Sequence, residues 1–265
     1  MNRLLPRLIW AAGLMSAAAG AHAQAFDVVR LYAIPLGDGQ GLAGLAVIPG
    51  HEYLGSDQRK TWVFPALSYQ WKNGWFAGTD NGVGYKFDSS PNMQYGLRVT
   101  ADLGRNENAA TALAGMGDIE VRPEVGGFFN YFITQDWFLT TSFRYGAGND
   151  RNGAQTDVGM GWSSQLAPQW RGAVGVGATY VNASYMQAFY GVSAAQSATS
   201  GYGVYAPGAG WRDVRTTASL TYFFNAEWSL TAAATVRWLQ EQVKASPIVN
   251  ETMPISGLLA VGYTF

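Results

Sequence analysis

The amino-acid sequence predicts an all-β protein, a closed antiparallel transmembrane β-barrel of about 12 strands. Three observations support this fold class. Apolar and polar residues alternate in long segments, short and long connections follow one another, and the last alternating segment ends on an aromatic residue, Phe265. Because successive side chains of a strand point to opposite faces, each such segment has one apolar wall and one polar wall.

The composition excludes several classes of protein. The chain has 265 residues, of which 48% are hydrophobic, 14% aromatic and 13% charged, and it has no cysteine. The formal net charge of -1 provides no basic field for a polyanion, so no nucleic-acid partner is expected. The lack of cysteine excludes disulfide frameworks, thiol catalysis and thiolate metal sites.

The first residues have the features of a secretory signal peptide. Arg3 and Arg7 form a positive start, an apolar core runs over 8–19, and an A-x-A cleavage motif ends at Ala23. The core is shorter than the ~20 residues that a spanning helix needs. We therefore predict a cleaved signal peptide at 1–23 and a single outer-membrane barrel at 24–265.

The alternating segments, in chain order, are the expected strands. They lie at 42–48, 61–71, 75–87, 93–103, 119–131, 136–147, 154–165, 169–181, 213–224, 227–239 and 255–265. The hairpin signal Asp80-Asn81-Gly82 divides 75–87 into two short strands, which gives an even total and places both chain ends on the same side. A strand at 26–33 is the alternative source of the twelfth strand.

Segment length and connection length separate a membrane barrel from a soluble sandwich. Most segments reach the ~9–11 residues that a tilted strand needs to cross a bilayer, whereas soluble strands average about five or six. Short turns at 134–136, 167–169 and 225–227 contrast with long loops at 104–118, 147–154, 182–212 and 240–254. Outer-membrane barrels have this loop pattern, and closure of the sheet leaves no unpaired edge in lipid.

A series of short motifs runs along the mature sequence. They are Pro49-x3-Tyr53-Leu-Gly55-Ser56, Gly104-Arg105, Gly115-Met-Gly117-Asp118-Ile119, Phe189-Tyr190-Gly191-Val192, Ala195-Gln196-Ser197, Ser200-Gly201, Ser246-Pro247-Ile248-Val249 and Tyr263-Thr-Phe265. In this order they resemble the MltA-interacting protein (MipA/OmpV) family of Gram-negative outer-membrane barrels. The resemblance implies a non-enzymatic envelope scaffold or surface interaction protein.

The resemblance and the chain end also imply partners. The family resemblance implies periplasmic murein enzymes, namely a lytic transglycosylase and a murein synthase. The terminal Phe265 resembles the signal that delivers bacterial barrels to their assembly machinery, so this machinery and outer-membrane lipid are expected partners. Partners on the periplasmic side would meet the short turns and the segment 24–40.

Charged residues on the polar walls are predicted to face the lumen. They are Lys86, Arg98, Asp102, Glu120, Arg122, Glu124, Arg144, Asp157, Arg171, Arg215 and Arg237. The basic members outnumber the acidic ones, and rings of arginine favour anions, so a small anion-preferring diffusion channel is the alternative function. We favour a wall of paired charges, because a polar interior is expected of any barrel.

The long segment 182–212 is expected to act in one of two ways. It folds into the barrel mouth as a plug, or it presents an aromatic contact surface through Phe189, Tyr190 and Gln196. An ordinary surface loop explains the same composition.

No catalytic residue, cofactor or metal ion is expected. His51, with Ser56 and Asp57 nearby in the chain, is the one candidate for general-base chemistry, in a third class of function, a barrel hydrolase. A loop histidine of this kind is more often solvated than catalytic. The Asp and Asn residues of 146–153 would suit a calcium ion, but a hairpin loop explains them equally well.

Overall fold

The computed structural model describes residues 36–87, 90 and 92–265, and these form one closed antiparallel barrel. The strands of the described residues are β1 (Gln40–His51), β2 (Arg59–Gln70), β3 (Trp75–Gly78), β4 (Gly82–Lys86), β5 (Met93–Asp102), β6 (Arg122–Phe132), β7 (Trp137–Ala147), β8 (Gly153–Ala167), β9 (Trp170–Val181), β10 (Gly210–Phe223), β11 (Trp228–Leu239) and β12 (Ile255–Thr264). Each strand pairs with its neighbours in the sequence, and β1 pairs with β12 to close the sheet. The predicted fold class is therefore confirmed.

The strand bounds agree with the alternating pattern with three main differences. β1 is longer than the predicted 42–48 at both ends, since it runs from Gln40 to His51 and pairs with β2 along this whole length. The division of 75–87 into β3 and β4 is confirmed. β6 begins at Arg122 instead of 119, because Ile119 forms an isolated bridge with Arg105 and is held in the preceding loop. β10 begins at Gly210, three residues earlier than expected. The predicted signal peptide at 1–23 and the alternative strand at 26–33 lie outside the described residues.

The two ends of the barrel differ in their connections. Turns at 71–74, 133–136, 168–169 and 224–227 lie at one end, together with both ends of the barrel chain, and we call this the short-turn end. Loops at 52–58, 103–121, 148–152, 182–209 and 240–254 lie at the opposite end, which we call the long-loop end. The tight turn 79–81 points toward this end but lies beside the middle of β2.

The outer wall of the barrel is apolar. Side chains such as Leu45, Leu97 and Val176 point outward and are about half exposed. Exposed aromatic residues mark both ends of the strands: Trp75, Trp137, Trp170 and Trp228 at the short-turn end, and Tyr180, Trp211 and Trp238 at the long-loop end. Aromatic belts around an apolar band are typical of barrels that span a bilayer.

The helices of the described residues lie in the long loops. They are α1 (Ala183–Tyr190), α2 (Ala194–Ser200) and α3 (Glu241–Lys244). The Asn182 side chain caps α1, and Ser193 with Gln196 forms a capping box for α2, so both helices begin at residues that satisfy their free amides. Of the helices that the structure describes, none has the length and apolar character needed to cross a membrane.

The outward position of Leu259 in the middle of β12 provides a test of lipid exposure. Its side chain is 50% exposed, and Ile255 points outward at the end of the same strand. We expect Leu259→Arg to lower the free energy of unfolding in lipid vesicles by about 2–4 kcal/mol, and Ile255→Arg by about 0–1 kcal/mol, because the cost of arginine depends on depth. Urea titration followed by tryptophan fluorescence measures both. Equal effects of the two substitutions would contradict a lipid-facing wall.

Candidate functional site

Charged side chains from neighbouring strands meet inside the lumen. We call the following residues the lumen cluster: Glu124 on β6, Arg144 on β7, Asp157 on β8, Arg212, Asp213 and Arg215 on β10, and Arg237 on β11. All of them except Asp157 are buried. A buried charge is costly unless it is paired and hydrogen-bonded, so the contacts within the cluster decide its stability.

Asp213 is the acceptor for three arginines. Its Oδ2 accepts from Arg212 Nε at 2.8 Å, and its Oδ1 accepts from Arg215 Nη1 at 3.2 Å and from Arg237 Nη1 at 3.4 Å. The carboxylate is fully buried. A single aspartate therefore compensates guanidinium groups from two adjacent strands.

Asp157 and Glu124 extend the cluster across the lumen. Asp157 accepts from Arg144 Nη2 at 2.9 Å and from Arg215 Nη2 at 3.1 Å. Glu124 lies 3.6 Å from Arg144 Nη1 and accepts from Gln155 Nε2 at 2.8 Å. These contacts link β6 to β10 through their side chains, so the cluster joins strands that are not all neighbours in the sheet.

A bulge in β10 brings Arg212 and Asp213 into the lumen together. Trp211 pairs with Tyr180 and Asp213 with Thr179, so Arg212 is an additional residue on β10. Both Arg212 and Asp213 are buried, although adjacent residues of a regular strand face opposite ways. Sequence reasoning missed both residues. Asp213 lies two residues before Arg215 and therefore on the same face of the strand, so alternation could have identified it. The position of Arg212 depends on the bulge.

The other predicted lumen residues lie outside the cluster. Arg98 is buried and donates to Asn81 Oδ1, and Asp102 accepts from the backbone amides of Gly104 and Gly148, both at 3.1 Å. Lys86 Nζ lies 3.0 Å from Asp38 Oδ1. Asp102 therefore holds two loops at the long-loop end, and Lys86 holds the N-terminal segment at the other end.

Two further predicted lumen residues form an ion pair at the N-terminal end of β6. For one of them, the structure contradicts the prediction. Glu120 precedes β6, its side chain is 65% exposed, and it pairs with Arg122 Nη2 at 2.5 Å. The expectation that Glu120 faces the lumen from a strand is wrong, because the bridge between Arg105 and Ile119 ends the strand pattern at 121. Arg171, the remaining predicted residue, donates from Nε to Ser163 Oγ at 2.9 Å.

The long loops pack together above the lumen, and we call loops 52–58, 103–121, 182–209 and 240–254 the loop cap. One buried apolar cluster contains Leu54, Ala147, Val181, Tyr185, Met186, Tyr190, Leu239 and Val243. A second contains Tyr53, Ala110, Ala112, Leu113, Met116, Val192 and Ile248. Since each cluster combines residues from several loops, the cap has an apolar interior of its own.

The loop cap is bonded to the lumen cluster through α1. Arg212 Nη1 donates to Tyr185 Oη at 2.9 Å. At the other end of α1, Arg105 Nη1 donates to Phe189 O at 2.6 Å. A positive charge at this position also stabilises the helix, because the C-terminal end of the helix dipole is negative. Burial lowers the pKa of Arg105 to about 10 and raises the pKa of Tyr190 to about 12. These shifts reflect the exclusion of water from the cap.

Packed side chains fill the lumen at the depth of the cluster and beneath the cap. Eleven of the twelve strands contribute buried inward-facing side chains, among them Ile48, Phe64, Phe76, Thr100, Glu124, Arg144, Gln155, Thr179, Arg215, Arg237 and Leu258. A continuous water-filled passage would expose inward-facing side chains along its whole length. The segment 182–212 therefore packs over the lumen through α1, whose Tyr185 and Met186 are buried.

A cavity of about 300 Å³ lies below the lumen cluster, and we call it the vestibule. Its lining includes the basic residues Lys86, Arg98, Arg171 and Arg215 and reaches Gln135 in a turn at the short-turn end. The vestibule is therefore next to the short-turn end and separated from the loop cap by the buried lumen cluster.

The sequence and the barrel were compared with known proteins. The family model described as MltA-interacting protein MipA matches residues 43–265. The chain belongs to this family. The predicted family is thereby confirmed, and the match includes all of the lumen cluster and the loop cap.

Similar proteins include curated members of the family and solved barrels. The MltA-interacting proteins of Escherichia coli (strain K12) and Shigella flexneri are each 24% identical over 227 residues, covering 84% of this chain and 88% of theirs. The NanC porin structure has 13% identity and a TM-score of 0.46, with 83% of this chain and 98% of that chain covered. The KdgM porin has 10% identity and a TM-score of 0.46, with 84% and 99% covered.

The motifs that carry the family resemblance contact one another in the loop cap. Tyr53 Oη donates to Ile248 O, and Gly55 O accepts from the amides of 250 and 251. Ser246 Oγ donates to Tyr190 O at 2.6 Å, and Gln196 Nε2 donates to Met116 O at 2.6 Å. Residues that are far apart in the sequence thus form one bonded structure, which explains why they occur as separate short motifs.

The three predicted contact residues lie inside this structure. Tyr190 is buried in the first apolar cluster, and Phe189 packs against the cluster with its ring 4.5 Å from that of Tyr185. Gln196 bonds to Ser193 and Met116. The side chains therefore bind the loops of their own chain, and Tyr190 has no accessible surface to offer to another protein.

The local geometry of His51 does not match that of an activated nucleophile. His51 Nδ1 lies 2.6 Å from the carbonyl oxygen of Ser56, while Ser56 Oγ accepts from the amide of Gln58 at 3.1 Å. A general base activates a serine through a hydrogen bond to its hydroxyl, and these contacts direct both side chains elsewhere. In the described part of the chain, no group of three or more His, Asp or Glu residues is placed to hold a metal ion.

Asp213 provides a test of the energetics of the lumen cluster. We expect Asp213→Asn to lower the free energy of unfolding by about 3–5 kcal/mol, because it leaves buried guanidinium groups without their carboxylate. The control is Glu52→Gln, which removes the partner of Lys60 in a pair at 3.0 Å where the lysine is 37% exposed. The control should cost less than about 1 kcal/mol. Denaturant unfolding in vesicles measures both, and equal losses would show that the cluster is not energetically important.

Proposed function

We propose that this protein is a non-enzymatic scaffold of the Gram-negative outer membrane that holds murein-remodelling enzymes at its periplasmic face. The observation that carries the proposal is the match of residues 43–265 to the MltA-interacting protein family. The similar proteins of Escherichia coli and Shigella flexneri are named for interaction with MltA. The proposed partners are a lytic transglycosylase and a murein synthase.

The proposed orientation places the short-turn end in the periplasm, since outer-membrane barrels have short periplasmic turns and longer outer loops. Export would use the signal peptide at 1–23, leaving the barrel of 24–265. The barrel-assembly machinery would recognise Phe265, which is 60% exposed and hydrogen-bonds through its backbone to Gly41 at the closing seam. Outer-membrane lipid would surround the apolar wall.

The proposed contact surface is the short-turn end. Its turns expose polar residues, among them Lys72, Gln135 and Glu227. The segment that enters β1 is tied to this end, because Gly39 donates to Gln70 O at 2.7 Å and Asp38 pairs with Lys86. By contrast, the family motifs of the loop cap are used within the chain itself, so an enzyme partner in the periplasm would meet the turns.

A binding experiment tests the scaffold proposal. A lytic transglycosylase without its lipid anchor is titrated against the barrel in nanodiscs, and affinity is measured by biolayer interferometry. We expect the combined substitution Lys72→Ala, Gln135→Ala and Glu227→Ala to weaken binding by about tenfold or more, equivalent to ~1.4 kcal/mol. The matched control combines Asp57→Ala, Asp150→Ala and Lys244→Ala at exposed sites of the long-loop end. No binding of either murein enzyme by the unmodified barrel, or equal weakening by both triple variants, would contradict the proposal.

The alternative function is a small anion-preferring diffusion channel. The observation that favours it is the vestibule, whose lining has four basic residues against Asp80, Asp136 and Asp157. Arg98 and Arg171 line this cavity, which reaches the short-turn end. The buried lumen cluster opposes it, because Arg144, Arg212 and Arg215 are paired with carboxylates inside the lumen beneath the loop cap. We therefore place this function second.

Planar-bilayer recording separates the two functions. A packed lumen predicts no steady ion-selective conductance above the background of the bilayer. A diffusion channel predicts an anion-selective conductance that Arg98→Ala or Arg144→Ala changes, since charges in a narrow pore control its selectivity. Such a conductance in the unmodified protein, altered by either substitution, would favour the channel and contradict a closed lumen.

A further inference from the structure

The wall of the barrel is incomplete between β2 and β5. β3 has 4 residues and β4 has 5, whereas β2 has 12. β2 pairs with β1 along its full length but with β3 only at Ser68–Gln70. Because a tilted strand needs ~9–11 residues to cross the hydrocarbon core, β3 and β4 cover only part of the membrane. We call the remaining space the wall gap. It lies between the half of β2 that is nearer the long-loop end and the end of β5 on the same side of the barrel.

The lower border of the wall gap is formed by the tip of the β3–β4 hairpin. The hairpin turns early at Asp80-Asn81-Gly82, where Gly82 has a φ of 72°. Thr79 Oγ1 donates to Pro65 O at 3.0 Å, and the amide of Leu67 donates to Thr79 Oγ1 at 3.1 Å. Pro65 itself has no N–H, and proline is tolerated on an exposed strand edge for this reason. The edge of β2 at the tip therefore leaves few unpaired donors toward lipid.

Apolar side chains border the wall gap on the outside. Val63 and Leu67 on β2 and Val99 on β5 point outward and are 58%, 49% and 48% exposed. A side chain of this kind is stable at such exposure when hydrocarbon, not water, surrounds it. The wall gap is therefore at the depth of the lipid acyl chains.

Inside the wall gap, the lumen is apolar on the side of β2, whereas the inward-facing residues of β5 are Arg98, Thr100 and Asp102. The inward-facing residues of β1, β2, β11 and β12 form a separate cluster of Ala46, Ile48, Phe64 and Leu258, with Trp62, Ala233 and Ala260 packed against it. They line a cavity of about 120 Å³, which we call the apolar chamber. An apolar cavity of ~150 Å³ stays dry and binds benzene, so this volume is sufficient for a slender apolar group.

The apolar chamber has few polar groups and extends to the wall gap. Its lining includes Pro65, Leu67 and Thr79, the residues at the lower border of the gap. The hydroxyl of Thr231, which also lines the chamber, is hydrogen-bonded to the hydroxyl of Thr221 at 2.9 Å. Most of the lining is apolar, and the charged lumen cluster lies nearer the long-loop end of β10 and β11 than the chamber residues Ser219, Thr231 and Ala233 do.

We propose that the apolar chamber binds the end of a lipid acyl chain that enters sideways from the bilayer through the wall gap. From Leu42 to Ile48 the chamber extends over about 20 Å of strand at ~3.4 Å per residue, compared with the ~15 Å depth of one leaflet's hydrocarbon. A free acyl chain end has the required cross-section and carries no charge. The lining of the chamber is mostly apolar, and its one charged residue, Asp80, lies where the chamber meets the vestibule.

Photolabelling tests the proposal with the full folded barrel. The barrel is reconstituted in vesicles that contain phosphatidylcholine with a diazirine at the end of one acyl chain, irradiated and analysed by fragment-level mass spectrometry. We expect label on the inward residues Ala46, Phe64 and Leu258 as well as on outward residues such as Leu259. Label confined to outward residues in the unmodified protein would overturn the proposal.

A pair of adjacent substitutions controls for non-specific labelling. Leu258 is 8% exposed and faces the chamber, whereas Leu259 is 50% exposed and faces outward. Leu258→Trp should fill the chamber and reduce the label on Ala46 and Phe64 by about tenfold, and Leu259→Trp should leave it unchanged. Ala260→Leu is a second, smaller filling variant if Leu258→Trp does not fold. Unchanged inward labelling in a folded filling variant would overturn the proposal.

Competition distinguishes the sources of the acyl chain. Unlabelled phosphatidylcholine and unlabelled lipopolysaccharide are added at equal acyl-chain concentration. A reduction of inward labelling by either lipid supports an acyl-chain site and identifies the lipid that supplies it. A reduction by toluene together with no effect of either lipid would overturn the proposal in favour of a site for small hydrocarbons.

Discussion

The structure depends on the requirement that backbone amides and carbonyls in hydrocarbon pair within the protein, since lipid offers them no hydrogen bonds. Pairing of β1 with β12 meets this requirement by closing the sheet. Closure separates an apolar outer wall from the interior, and between β6 and β11 it shields the charged inward-facing residues from lipid. The same requirement makes the short β3–β4 hairpin notable, because it leaves part of the neighbouring β2 edge without a strand partner.

The charged side chains inside the barrel are paired with one another, and this pairing explains a rigid lumen better than it explains transport of a solute. Asp213 and Asp157 each accept from more than one arginine, and the cluster is bonded to α1 through Arg212 and Tyr185. Moving α1 would therefore disturb buried ion pairs as well as apolar contacts. A loop cap attached in this way is fixed to the barrel, so the family motifs within it stabilise one closed conformation.

The sequence predicts what depends on local pattern, and the structure adds what depends on packing between distant segments. Alternation located the strands and placed Arg144 and Arg215 on polar walls, because strand periodicity is a property of a single segment. The position of Arg212 depends on a bulge against β9, and the burial of Tyr190 depends on contacts with other loops. Alternation places Glu120 on a strand, because the alternating pattern begins before the first paired residue of β6. In the structure, the preceding Ile119 forms an isolated bridge with Arg105 and is not part of β6. Register and loop packing are not encoded in any single segment.

The barrel is closed along its axis and open at its side, and these two features have a common cause. The buried lumen cluster, which extends from β6 to β11, and the loop cap occupy the lumen toward the long-loop end. The side of the lumen formed by β1, β2, β11 and β12 has apolar inward-facing side chains and is bordered by the short hairpin. An apolar lumen wall would be unfavourable if water filled it, and hydrocarbon reaches it through the gap. This division of the lumen favours exchange with the bilayer over passage between compartments.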